Sequence, residues 1–312
     1  MLSRTADHLY WMSRYSERAE NLARLLDVTY QMSLVPKSPA AEKQNWGAIL
    51  ALNSLEQTHF ERYDEVNAEN VLRFMVSDPD NVSSIYSCLR GARENAHAVR
   101  GTLTSETWES CNMTWIELRE QKFEQIMAAG IGTFFEWVKL RAAVIRGVTF
   151  GTMLQDEALC FIRLGGHIER ADNTARILDV KYHMLDAHDE EGTSDFYQWG
   201  ALLRSVSAFE VYRKVYRDVI TPARVAELLM LRPDMPRSLQ ACLRGVVRTL
   251  DSIRNAQSAE TERRAGMLFS QIHYARIDDI LAKGLHEFLT DFMDRIYELG
   301  DGIRQDFLMP EG

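Results

Sequence analysis

An eight-residue signature occurs twice in this chain and constrains what it can fold into more than any other feature. It reads Glu17-Arg18-Ala19-Glu20-Asn21-Leu22-Ala23-Arg24, and it returns 152 residues later as Glu169-Arg170-Ala171-Asp172-Asn173-Thr174-Ala175-Arg176. Six of the eight positions are identical and a seventh exchanges Glu for Asp. Each copy runs on into Leu-Asp-Val, at Leu26 to Val28 and Leu178 to Val180, and then a tyrosine, Tyr30 or Tyr182. Recurrence at this distance predicts two copies of one structural unit.

Both copies have helical periodicity. At 100° per residue, Tyr10, Arg14, Glu17, Asn21 and Arg24 fall on one stripe with Glu20 beside it, while Trp11, Tyr15, Ala19, Leu22 and Leu26 lie opposite. The second copy places Glu169, Asp172, Asn173 and Arg176 on the polar stripe and Leu164, His167, Ala171 and Leu178 across from it. A solvated face stitched by Glu20–Arg24 and Asp172–Arg176 pairs explains either copy alone. It does not explain why the same Glu, Arg, Asn and Arg recur in order, because a wet face accepts many polar mixtures. The recurrence predicts stripes that are partly buried, with Glu17 and Glu169 each bonded by an arginine from another helix and Asn21 and Asn173 completing the network.

The rest of the chain repeats in the same order. Trp46-Gly47-Ala48 matches Trp199-Gly200-Ala201, and Cys88-Leu89-Arg90-Gly91 matches Cys242-Leu243-Arg244-Gly245. Asp78-Pro79-Asp80 answers Arg232-Pro233-Asp234, and Thr221-Pro222 reads as an N-cap followed by proline at the first helical position. Helices are expected at Ser3 to Met32, ended by the Val35 to Pro39 stretch, then from Asn45, over Val66 to Val76, from a Ser83 or Ser84 cap to Gly101, from a Ser105 cap, and over Lys122 to Phe150. No alternating run bounded by turns marks a strand. The expected fold is all-α: an internally duplicated helical bundle of two six-helix repeats about a pseudo-two-fold axis. The halves are 1–152 and 153–312, sharing one compact unit.

Composition excludes several classes of function. The formal charge is −9 and no Lys/Arg-rich block exists, which argues against a nucleic-acid or anionic-membrane surface. The most apolar stretch, Ile126 to Ile145, carries Glu136, Lys139 and Arg141, so no membrane span is expected. Met1 to Arg14 has no apolar signal core. Cys88, Cys111, Cys160 and Cys242 are scattered and read as buried thiols of a cytoplasmic protein.

A second candidate site gathers Arg90, Arg93, Glu94 and Asn95 on one helix with Trp108 and Asn112 on the next. Guanidinium forks of this kind hold carboxylates or phosphates, and they also fix helix register through ion networks. The second half has Val247, Arg248 and Thr249 in the place of Arg93, Glu94 and Asn95, so any site here belongs to the first half. Glu56-x-x-His59 and Glu94-x-x-His97 have di-iron spacing, but the second half keeps neither, and no metal or other cofactor is expected. Walker A, His-Glu-x-x-His and Gly-x-Ser-x-Gly patterns are absent. His167 falls on the apolar face and reads as a packed core histidine.

The duplicated signature, the opening Leu-Ser-Arg-x-Ala-x-x-Leu-Tyr-Trp-Met-x-Arg-Tyr and Ala92-Arg93-Glu94-Asn95-Ala96 together resemble the bacterial alpha-E domain family, over essentially the whole chain. The resemblance implies an all-helical domain that keeps company with circularly permuted ATP-grasp and transglutaminase-like proteins, and hence a role in making or modifying peptide amide bonds. It places the family's Glu/Arg motif on Glu17, Arg18 and Arg24, and on Glu169, Arg170 and Arg176. Tyr10 and Arg14 have Ile162 and Gly166 as second-half counterparts, so strict symmetry is not expected. The function expected on this basis is a non-catalytic helical partner of an ATP-grasp-type ligase, holding a carboxylate or peptide through its Glu/Arg clusters. The alternative is an enzyme acting on an amide or amino-acid substrate in the same system.

Overall fold

The computed structural model describes residues 1–34, 38–186 and 192–308, and within them the chain is helical with no strand. The predicted break at Val35 to Lys37 lies outside the described residues. Two compact units are formed: residues 15–153, and residues 1–14 together with 154–312.

The unit of residues 15–153 takes helix α1 (Ser3–Ser33) from Tyr15 onward. It continues with α2 (Pro39–Leu52), α3 (Glu56–Phe60), α4 (Ala68–Val76), α5 (Ile85–Ala98), α6 (Ser105–Arg119), α7 (Phe123–Ala129) and α8 (Ile131–Thr152). Its core is built on Leu26, Trp46, Leu50, Phe74 and Phe135, all fully buried. The other unit takes the start of α1, then α9 (Glu157–Asp186), α10 (Gly192–Ser205), α11 (Phe209–Tyr216), α12 (Pro222–Leu231), α13 (Leu239–Ser252), α14 (Ala259–His273), α15 (Ile277–Lys283) and α16 (Leu285–Ile303). A π-helical turn, Arg304–Leu308, follows. Phe161, Trp199, Tyr212 and Phe292 fill this second core.

The helix count corrects the sequence expectation: eight helices, not six, precede Met153 among the described residues, and eight follow Leu154. Two local events account for the excess. Gly130 adopts φ +93°, a conformation open to glycine, and splits the expected 122–150 helix into α7 and α8. Ser54 adopts φ 55° and ends α2 before α3 begins. There Leu55 N donates to Leu50 O at 2.9 Å and Ser54 N to Ala51 O at 3.0 Å, the paired bonds of a Schellman cap. The same devices recur in the other unit. Ser207 has φ 55°, Ala208 N donates to Leu203 O at 2.7 Å, and Gly284 has φ +108° between α15 and α16.

Side-chain caps set the remaining starts. Ser84 and Thr221 cap α5 and α12 as expected, accepting from Ser87 N at 3.0 Å and Arg224 N at 3.4 Å. For α6 the cap is Thr104, one residue before the expected Ser105, and it accepts from Thr107 N. Helix α9 approaches the start of α1 closely. A Cβ added at Gly165 would lie 2.3 Å from the Tyr10 carbonyl oxygen, so only glycine fits there. His167, on α9, is half-buried and stands against Gly245 of α13. Cys88, Cys111 and Cys242 are buried, and burial pushes the Cys111 thiol up to about 12.

Candidate functional site

Residues 17, 20, 24 and 27 follow the 3-4-3 spacing of one helix face, and in the unit of residues 15–153 that face meets α8. Arg146 Nη1 of α8 donates to Glu17 Oε2 at 3.3 Å and to Glu20 Oε2 at 2.7 Å. Arg24 grips the other Glu20 oxygen from within α1, through Nε at 3.0 Å and Nη2 at 2.7 Å. Two turns away, Lys139 Nζ donates to Asp27 Oδ2 at 2.8 Å and to Glu136 at 2.5 Å. Higher numbers on α1 meet lower numbers on α8, so the helices run antiparallel and share a polar seam.

The seam is buried on its acidic side. Glu17 is 4% exposed, Glu20 0% and Asn21 3%, whereas the Arg146 and Arg24 side chains keep 33% and 22%. Two carboxylates without solvent would be untenable unpaired, and two arginines compensate them one for one. Burial pulls the Lys139 ammonium toward neutrality, but its bonds to Asp27 and Glu136 outweigh that and hold its pKa above the ordinary lysine value. The partly buried stripe expected from the recurrence is what this unit contains.

In the unit of residues 1–14 and 154–312, Glu169 is 4% exposed and accepts from Arg14 Nε of α1 at 2.8 Å. Arg14 also stacks 4.8 Å from the Trp11 ring centroid and donates to the buried Tyr10 hydroxyl at 3.4 Å. The expected arginine on each signature glutamate is therefore present, but the two come from different places. Arg146 has Gly300 as its counterpart 154 residues on, and Arg14 has Gly166. Asp172 pairs with Arg176 at 2.9 Å and is more open than Glu20, at 22% exposure, and Asn173 is half-buried. Arg18 lies 5.9 Å over the Tyr15 ring, and Arg170 is half-buried.

The second candidate cluster closes only in part. Arg93 Nε donates to Asn112 Oδ1 at 3.2 Å, and its guanidinium lies 5.5 Å over the Trp108 ring. Trp108 also meets His97 at 5.5 Å between centroids. Arg90 instead donates to the Pro79 carbonyl at 3.3 Å and covers Tyr86. Asn95 bonds back to Gly91 O at 2.8 Å, and Glu94 is exposed. This corrects the expected grouping: on α5, Arg90 is nearly a full turn behind Arg93 and reaches the preceding turn, while Glu94 points to solvent. Among the described residues no group of three or more His, Cys, Asp or Glu is placed to hold a metal ion, and no helix is long and apolar enough to cross a membrane.

Sequence reasoning missed Arg146, Lys139 and Asp27, which complete the seam. A signal was present: Lys139 and Arg146 stand seven residues apart in the expected 122–150 helix, the spacing of one side of two turns.

A family model described as "a predicted alpha-helical domain with a conserved ER motif" matches residues 1–308. The uncharacterized proteins Mb2597 of Mycobacterium bovis and Rv2567 of Mycobacterium tuberculosis are each 24% identical over 321 residues, covering 94% of this chain and 35% of theirs. The chain thus spans about a third of the length of these curated relatives. No solved structure matches. With the glutamate of each Glu-Arg step held in a buried ion pair and the family match running over residues 1–308, the chain belongs to the Alpha-E family.

Proposed function

We propose that this protein is a non-catalytic helical scaffold that docks, and presents substrate to, an ATP-grasp-type amide or peptide ligase in the cytoplasm. The observation that carries the reading is the seam of Glu17, Glu20, Arg24 and Arg146. The signature charges compensate one another between helices, which suits a motif that sets helix register. The relatives support it too, since about two thirds of their length lies beyond the matched region and leaves room for a second activity in the same polypeptide. The ATP-grasp and transglutaminase-like partners come from the family resemblance alone. A tandem duplication underlies the scaffold. From α4 to α8, every helix start recurs 154 residues later, which supports that origin with eight-helix repeats in place of six.

The second reading, an enzyme acting on an amide or amino-acid substrate, is favoured by one feature: Arg146 and Arg24 reach solvent above two buried carboxylates, a place for a substrate carboxylate to land. One experiment separates the two. The chain is co-expressed with an ATP-grasp-type protein, and ATP-dependent amide formation from candidate amines and carboxylates is followed with and without it. The scaffold reading expects copurification, turnover that needs the chain, and a Glu20→Gln variant whose turnover tracks its folded fraction. Lost turnover in fully folded Glu20→Gln supports the enzyme. Turnover indifferent to the chain, with no copurification, removes both.

A further inference from the structure

The outward face of α8 is apolar where the fold has no use for it. Leu140 is 62% exposed and Val144 38%, and Ala143, Gly147 and Gly151 are exposed beside them. These positions follow the i, i+3, i+4, i+7 pattern of one stripe, with no charged residue among them. Glycine weakens a helix relative to alanine. Yet a Cβ on Gly147 or Gly151 would meet nothing within 4 Å, and neither has the positive φ that glycine alone supplies. Nothing in the described fold requires them. The counterpart stripe of α16, 154 residues on, reads Asp294, Tyr297, Glu298 and Asp301, an ordinary wet face.

On its α6 side the stripe is bordered by exposed acidic side chains. Helix α6 lies antiparallel beside α8, joined by Thr104 to Thr152 at 2.7 Å, by Glu117 to Trp137 at 3.0 Å and by Glu117 to Arg141. Its outer edge carries Glu106, Glu109 and Glu120, all exposed, around Met113 at 46%. From Leu140 to Gly151 the stripe is about 17 Å long and about 10 Å wide. That is far below the roughly 800 Å² per partner of a stable dimer, and it fits one helix.

We propose that this face docks a single amphipathic helix of a partner protein, apolar along one stripe and lined with Lys or Arg on the side that meets α6. The proposal rests on the scaffold reading and supplies its docking chemistry. Gly147 and Gly151 let the partner backbone approach closely, Leu140, Val144 and Met113 bury its apolar row, and the α6 glutamates fix its orientation.

The test uses a labelled synthetic Leu/Ala/Lys amphipathic helix, its Leu/Ala/Glu counterpart and the full chain, followed by fluorescence anisotropy. The basic helix is expected to bind about tenfold tighter than the acidic one. Leu140→Glu and Gly147→Leu are each expected to weaken it about tenfold, with unchanged far-UV spectra and no loss of melting temperature, Gly147→Leu melting if anything higher because leucine favours the helix over glycine. Leu140→Glu adds negative charge, so mere electrostatic adsorption would strengthen with it, and that outcome overturns the proposal. So do absence of binding, a dimer in light scattering that Leu140→Glu dissolves, and adsorption to phosphatidylserine vesicles that the same variant abolishes. An ATP-grasp partner that copurifies equally with wild type and both variants removes α8 as the docking face and leaves the scaffold reading standing.

Discussion

Glu20 and Asp172 occupy the same place in the signature yet sit in different dielectrics, and this difference predicts different costs. Glu20 is fully buried between Arg24 and Arg146, so Glu20→Gln leaves two arginines short of an anion. Breaking such a pair is expected to cost about 3 kcal/mol, the low end for buried pairs because both arginines reach solvent. Asp172→Asn, with a 22% exposed carboxylate facing a 39% exposed arginine, should cost under about 1 kcal/mol. Urea denaturation of the two variants measures the contrast, and equal losses would show that burial does not govern the motif. His59 supplies a pH effect of defined sign. It is buried among Phe60, Tyr63 and Phe74, with no hydrogen-bond partner for either ring nitrogen among the described residues, and burial holds its pKa below the ordinary histidine value. The unfolded chain takes up that proton near pH 6.5 while the folded chain does not, so stability falls as pH drops through about 6.5. His286 has the opposite sign. Its bond to Asp179 raises its pKa, so its contribution is full below about pH 6.5 and fades as pH rises through the raised value. Melting between about pH 7.5 and pH 5.5 should therefore drop less in His59→Phe than in wild type, and more in His286→Asn.

At the scale of single elements, long amphipathic pattern was legible and local backbone exceptions were not. The spans of α1, α5 and the α7–α8 stretch could be placed from periodicity and capping residues, and the Thr221-Pro222 start of α12 was read correctly. The break at Gly130 could not be, because a glycine inside a helical pattern says nothing of its φ until tertiary packing turns the chain. Ser54 and Ser207 are harder still, since serine is a poor marker for a left-handed cap. These serines hold the position that glycine favours in Schellman caps. Ser207→Gly is expected to raise stability by about 0.5–1 kcal/mol by relieving that conformation. Ser207→Val should lower it by a similar amount or more, since a β-branched side chain tolerates the left-handed region worst. Thermal melting of the two variants moving in the same direction would remove this account of the α10–α11 corner.

At the scale of the whole molecule, repeats in a sequence reveal which segments are equivalent, not which segments are neighbours. The sequence repeat divides the chain near 152, yet the first fourteen residues pack with the unit that begins at Leu154. The residues involved explain why. Glu169 is 4% exposed and is held by Arg14, and Gly165 of α9 seats the Tyr10 carbonyl so closely that a Cβ would collide at 2.3 Å. Tyr10, 2% exposed, is part of the same core, as are Ala6 and Leu9. A fragment of residues 154–312 alone therefore loses the cation on a buried carboxylate and uncovers the glycine face of α9. Stranding the carboxylate alone is expected to cost about 3–5 kcal/mol, a large share of the roughly 5–15 kcal/mol that holds a domain together. The fragment should melt broadly and early. Residues 1–14 joined to 154–312 by a flexible linker should restore a sharp transition, and the same joined chain carrying Arg14→Ala should recover only part of it. Calorimetry of the three chains decides the point: if 154–312 unfolds as cooperatively and at the same temperature as the joined form, the N-terminal segment is an appendage. If the joined form alone is cooperative, the start of α1 is a structural member of the C-terminal unit, and the duplicated signature works in each unit by borrowing its arginine from another helix.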